Sequence, residues 1–236
     1  MSGTLLAQDK YQMALDPNKT DPELGRKVND HLSEIGAQTP TTSKILRSAE
    51  SKKETIQKCV LDILTELGMD MTDDSLNATP KRVAKMYVDE LFWGLKPENF
   101  PKSTVVDNKF NYDEMVIECN VTTQSSCEHH LLPVVGRTVV AYIPNVKVLG
   151  LSKLNRITEY FSRRPQIQER LTEQIAHTLA FILDTKDVAV YIEAEHLCVK
   201  TRGVEDTNSY TVTDKLLGAF KTNESTRQEF MAIARK

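Results

Sequence analysis

Met115-Val116-Ile117-Glu118-Cys119-Asn120-Val121 and, further on, Arg137-Thr138-Val139-Val140-Ala141-Tyr142-Ile143 are the stretches on which the fold turns. Met115, Ile117, Cys119 and Val121 alternate with other residues as in a strand with one covered face, and the run Arg137–Ile143 is a second strand that stops at Pro144. Two strands this close read as antiparallel neighbours. Working outward, Ser152–Phe161 and Pro165–Leu183 are predicted helices, the second carrying Ile167, Leu171, Ile175, Leu179 and Ile182 on one side. Strands follow at Val188–Glu195 and about Ser209–Asp214, and Ser225–Ala234 closes the chain as a helix. From residue 112 onward the order ββααββ predicts an α+β domain with helices on one face of a four-stranded antiparallel sheet. Its two open edges must be covered or paired, so assembly through the sheet is expected.

Toward the N-terminus the pattern weakens. Residues 1–47, with Pro17, Asp21, Pro22, Thr39 and Pro40, are predicted to be a partly ordered arm, poorly ordered at its start, with one short helix at about Glu23–Ile35. Residues 48–111 form a helical region. Ile56, Val60, Ile63, Leu64 and Leu67 recur at helical spacing ahead of a C-cap glycine, Gly68. A second helix starts at Thr79-Pro80, with Thr79 as N-cap, and runs through Val83, Met86, Tyr87 and Leu91 to Gly94. Residues 112–236 are predicted to form the α+β domain.

The 236 residues are 40% hydrophobic and 27% charged, enough for a proper core and incompatible with a collagen-like or mostly disordered chain. The longest apolar stretches fall far short of the ~18 residues that cross a bilayer, and Met1–Asp30 has no signal-peptide core, so a cytoplasmic protein is expected. Thirty basic and 33 acidic side chains give a net charge of −3, which predicts no general attraction to nucleic acid or to an acidic membrane. In a reducing compartment Cys59, Cys119, Cys127 and Cys198 are free thiols or metal ligands rather than disulfides.

The densest chemistry is Cys127-Glu128-His129-His130, with a distant His196-Leu197-Cys198 at the end of the third strand. Strand alternation puts His196 and Cys198 on one face, and Lys200 and Arg202 follow at the same spacing. Thiolate and imidazole are preferred ligands of Zn²⁺, and a Cys-x2-His pair plus one distant Cys supplies three. Three ligands leave a position open for a water whose pKa falls to about 7, the mark of a catalytic site. Cys119 as a fourth ligand would instead close a structural site, but it stands in an alternating strand and is read as core, as Cys59 is on its helix. His129 and His196 suit proton transfer near neutral pH.

Basic residues cluster at intervals that suit an anion. Ser152, Lys153 and Arg156 stand at a predicted helix start, where free N–H groups and the helix dipole add to the two cations. Arg82 and Lys85 are three apart on their helix, and Lys200 and Arg202 lie beside the proposed metal. Gln168-Glu169-Arg170 opens the longest helix. A first-turn glutamate favours the helix dipole, and its carboxylate can also accept two parallel N–H bonds from a guanine edge.

Ser126–His130, Gly150–Arg156, Arg164–Leu171, His196–Gly203 and the upstream Thr79–Tyr87 together resemble GTP cyclohydrolase I, from about residue 50 to the end. The resemblance implies the tunnelling fold, with ββααββ subunits joined edge to edge into a homodecamer of two pentamers and active sites between subunits. It implies Zn²⁺ on Cys127, His130 and Cys198, and conversion of GTP and water to formate and 7,8-dihydroneopterin triphosphate, the entry to tetrahydrofolate and other reduced pterins. His129 and His196 would move protons, Ser152 would sit near the ribose, and Glu169, with Gln168 beside it, would hold the guanine. Lys153, Arg156, Arg202, Lys200, Arg82 and Lys85 would share the triphosphate.

Overall fold

The computed structural model describes residues 16–236. The expected start of the arm lies outside the described residues. The first helix among the described residues, α1 (Pro22–Glu34), is capped by Asp21, whose side chain accepts from the Leu24 N–H, and it buries Val28 and Leu32. Both belong to the main core, so α1 is packed into the domain. Beyond it, Thr39 and the Ala37 carbonyl accept from Gln174, and Arg164 donates to Thr39 and to the Gly94 carbonyl. Arg164 is buried, and its guanidinium lies over the rings of Tyr160 and Phe161.

Helices α2 (Ala49–Glu66) and α3 (Thr79–Lys85) pack on each other. Gly68 ends α2 at φ 78°, as its place after the stripe predicts. The stripe itself is not buried within the chain: Ile63 and Leu67 are exposed. Ala78, not Thr79, precedes α3, and no side chain caps that helix. The expected regular helix to Gly94 becomes a π turn over Met86–Leu91.

The sheet has five strands in the order β5-β2-β3-β6-β7: β2 (Val116–Cys127), β3 (Pro133–Tyr142), β5 (Pro165–Gln166), β6 (Val188–His196) and β7 (Thr211–Leu216). All neighbours are antiparallel except β2 with the two-residue β5. A separate ribbon pairs β1 (Val105–Asp107) with β4 (Lys147–Leu149). The architecture is α+β. It departs from the four-strand expectation because the turn between the two long helices lies against β2 and adds β5.

Helices α4 (Leu151–Ser162) and α5 (Gln168–Leu183) cover one sheet face. Val134, Val140, Tyr142, Val188, Val190 and Ile192 meet Leu154, Ile157, Leu171, Ile175 and Leu179 there. The even positions of β3 and β6 thus face one core, as strand alternation requires. The odd positions Val139, Ala141, Ala189 and Tyr191 face a second cluster with Phe220, Phe230 and Ala234. The C-terminal helices α7 (Ala219–Thr222) and α8 (Glu224–Ala234), numbered after a short helix α6 (Leu197–Lys200), therefore lie on the opposite face, contrary to the one-face expectation.

Two strand readings are corrected. The register of β2 against β3 shifts between Glu118 and Val121, where Asn120 sits at φ 56°. This bulge breaks the alternation and leaves Cys119 exposed instead of in the core. Cys59, expected to pack, is exposed on α2 as well. Strand β6 stops at His196, where its pairing with β3 ends at Val134↔His196. Pro133, one residue before Val134, has no N–H to extend the ladder.

Candidate metal centre and substrate site

Cys127 is the last residue of β2, and the turn after it closes on its own backbone. The Leu131 N–H donates to the Cys127 carbonyl at 2.8 Å and the Cys127 N–H to Leu132 at 2.9 Å, with Leu131 at φ 56°. The Glu128 N–H donates to the Gln166 carbonyl at 3.0 Å, tying the turn to β5. Across from the turn, α6 carries Cys198. One donor atom each from Cys127, His130 and Cys198 lies within 4.8 Å of the others, the Cys127 Sγ to His130 Nδ1 distance being 4.0 Å. A tetrahedral ion with bonds of about 2.0–2.3 Å holds its donors roughly 3.5–3.8 Å apart. Two thiols and an imidazole at nearly that spacing are compatible with zinc.

Burial first, then the adjacent Cys127 thiol, pushes the Cys198 thiol above its ordinary value. A cation held by the two sulfurs would favour their thiolate forms. Arg202, expected to share a strand face with Lys200, instead follows a helical turn and donates to His130 Nε2 at 2.9 Å. A neutral imidazole that accepts at Nε2 keeps its proton on Nδ1, so metal binding through Nδ1 requires Arg202 to leave. Lys200 pairs with Glu195 at 3.0 Å.

His129 Nδ1 is 3.7 Å from Cys127 Sγ, and His129 itself is exposed beside the mutually close set. His196 is half-buried, its Nε2 2.8 Å from Gln168 Oε1. Burial pushes this imidazole below its ordinary value, and nearby Glu169 pulls the other way. Glu169 is exposed in the first turn of α5, near enough to His196 for its charge to act on that imidazole. Gln168, expected to touch substrate, is buried with its amide engaged within the chain.

Ser152, Lys153 and Arg156 sit on the first turns of α4, which follows Gly150 as N-cap and starts one residue before the expected Ser152. Ser152 and Arg156 line a cavity of about 390 Å³ together with Lys19, Glu118, Cys119 and Gln124; no residue of the thiol and imidazole cluster lines it. Burial, then Arg156 and Lys102, holds Lys153 below the usual lysine value, as in a cluster of cations awaiting an anion. Arg82 and Lys85 are exposed on α3. Within the chain Cys127, His130 and Cys198 come together with His129 against Cys127, while His196 meets Gln168 with Glu169 nearby. Ser152 and Arg156 of α4 line a cavity that holds none of the cluster's residues.

Sequence reasoning missed the pair that joins the turn to α5. Arg170 donates to both Glu128 oxygens, at 2.6 and 3.4 Å, and holds the Glu128 carboxyl below the usual range. The oppositely charged residues stand 42 positions apart, and no local pattern marks the contact.

A family model described as GTP cyclohydrolase I matches residues 56–235. The chain belongs to the GTP cyclohydrolase I family. It is 51% identical over 209 residues to a GTP cyclohydrolase 1 of Shewanella denitrificans, covering 89% of this chain and 96% of that one. A GTP cyclohydrolase 1 of Vibrio parahaemolyticus matches with the same identity and coverage, and one of Shewanella loihica is 50% identical over 210 residues, 98% of its length. The chain is an enzyme of the GTP cyclohydrolase I family, and its Cys127, His130 and Cys198 cluster is compatible with a metal site. Among the described residues no helix is long and apolar enough to cross a membrane.

Proposed function

We propose that the protein hydrolyses GTP to formate and 7,8-dihydroneopterin triphosphate at a Zn²⁺ site formed by Cys127, His130 and Cys198. The observation that carries this reading is the convergence of those three donors within 4.8 Å in a chain of this family. Zinc, when bound, supplies Lewis-acid polarisation and a nucleophilic water at neutral pH.

The chain's own residues do the rest. Glu169 accepts from the guanine N1–H and 2-amino group and so selects and orients the base. His129 and His196 take and return protons while water adds at C8, the imidazole ring opens and the formyl group departs as formate. Ser152 lies near the ribose. Lys153, Arg156, Arg202, Lys200, Arg82 and Lys85 share the triphosphate, with Arg202 leaving His130 and Lys200 leaving Glu195 to do so.

The separation of the α4 cations from the thiol cluster supports active sites shared between subunits. Strand β7 and most of β2 are free edges through which sheets of a tunnelling-fold decamer would pair. Such an enzyme would act in the cytoplasm at the entry to tetrahydrofolate and related pterins. Incubation of purified, zinc-loaded protein with GTP tests the proposal: equimolar formate and a pteridine that fluoresces after oxidation are expected, and neither appearing would refute it.

A further inference from the structure

Gln168 is 4% exposed at the first turn of α5, and its side chain spans the gap between that helix and two strands. Its amide Nε2 lies 3.1 Å from the Ile192 carbonyl, 3.0 Å from the Thr211 carbonyl and 3.2 Å from Thr213 Oγ1. Backbone carbonyls only accept, so the end of the amide facing them is the NH2. The other end, Oε1, faces His196 Nε2 at 2.8 Å. An amide oxygen also only accepts, so Nε2 of His196 is the protonated nitrogen.

Neighbouring hydroxyls fix the same direction from behind. Thr172 Oγ1 donates to the Gln168 backbone carbonyl at 2.8 Å, which leaves its oxygen to accept from the Thr213 hydroxyl at 2.7 Å. Thr213 Oγ1 is then an acceptor, so all three groups facing the Gln168 NH2 accept and its two hydrogens are shared among them. The register Ile192↔Thr213 and Ala194↔Thr211 sets both acceptor groups of β7 beside Ile192, so a slip of one residue would undo the arrangement.

We propose that Gln168 is a positioning residue that fixes the tautomer of His196, holding the proton on Nε2 and leaving Nδ1 as the free lone pair. The inference rests on the reaction proposed above and replaces a substrate contact by Gln168 with an action through His196. A neutral histidine accepts a proton only at its bare nitrogen, and a base in the wrong tautomer forfeits a contribution of about 10²–10⁴ in rate.

Neutron diffraction from crystals of the deuterium-exchanged, zinc-loaded protein reads the tautomer directly. Deuterium on His196 Nε2 is expected, and deuterium on Nδ1 alone would overturn the proposal. Gln168→Met should lower kcat by about 10–100-fold with KM for GTP and zinc content near wild type, because a proton carrier has lost its orientation. Thr172→Val, a change at a buried position away from any ligand, should lower kcat in the same direction by a smaller factor. A raised KM with unchanged kcat in Gln168→Met would make the residue a substrate contact and refute the positioning role. Absence of formate release by the wild type would sink the proposed reaction instead, while the neutron map would still report the tautomer.

Discussion

Replacing Arg170 by methionine removes the cation that clamps the turn bearing Cys127 and His130 onto α5. The pair is two-pronged, with contacts of 2.6 and 3.4 Å, and its side chains are only 17% and 26% exposed. Such a pair lies between an exposed bridge of about 0–1 kcal/mol and a fully buried one whose rupture costs about 3–5 kcal/mol, so about 1–2 kcal/mol is expected here. For a chain of this size that corresponds to a fall in Tm of roughly 2–8 °C, measured on zinc-free protein at fixed concentration and pH 7. The sign of the pH dependence follows from Glu128. Arg170 holds its folded-state pKa below the unfolded value, so the stabilisation is complete above about pH 4.3 and is lost as pH falls through the folded value. The gap in Tm between wild type and Arg170→Met should therefore be steady from pH 8 to 5 and close below about pH 4. A missing gap at pH 7, or an undiminished gap at pH 3, would refute the reasoning.

Cys127→Ser and Cys198→Ser should each lose most bound zinc in elemental analysis, whereas Cys119→Ser should keep it, because Cys119 lines the separate α4 cavity; zinc loss in the Cys119 variant would contradict this. Leu32→Ala should destabilise the protein by about 2–5 kcal/mol in denaturant unfolding, since Leu32 is fully packed in the main core, and an unchanged midpoint would detach α1 from that core. Glu169→Gln should weaken GTP binding by at least about 100-fold in calorimetry with zinc content unchanged, as one carboxylate acceptor becomes a donor facing donors. Equal affinity would return Glu169 to a helix-dipole role.

Much of the fold could be read from local pattern. The stripe Leu171, Ile175, Leu179 and Ile182 named the buried side of α5, and Gly68 named the end of α2. What escaped depends on partners distant in sequence. The place of α1 in the core and the ties from Thr39 to Arg164 and Gln174 join segments more than a hundred residues apart, and nothing at either end announces them. The exposed Cys119 follows from one left-handed residue, Asn120, whose bulge resets the alternation. For the site, the residue types at Cys127, His130 and Cys198 sufficed to nominate the three donors that the fold brings within 4.8 Å of one another. The assumed route from His196 to Cys198 was wrong, since the chain turns into a helix where β3 ends at Pro133. Gln168 was found from the sequence, but its engagement within the chain was not, because its partners come from β6 and β7.

Titration of zinc into chelator-stripped protein, with formate release from GTP as the readout, tests the central claim most directly. The rate should rise from near zero, saturate at about one zinc per chain and fail to rise in Cys198→Ser. Full turnover by the stripped protein, or zinc-dependent turnover by Cys198→Ser equal to wild type, would contradict the account.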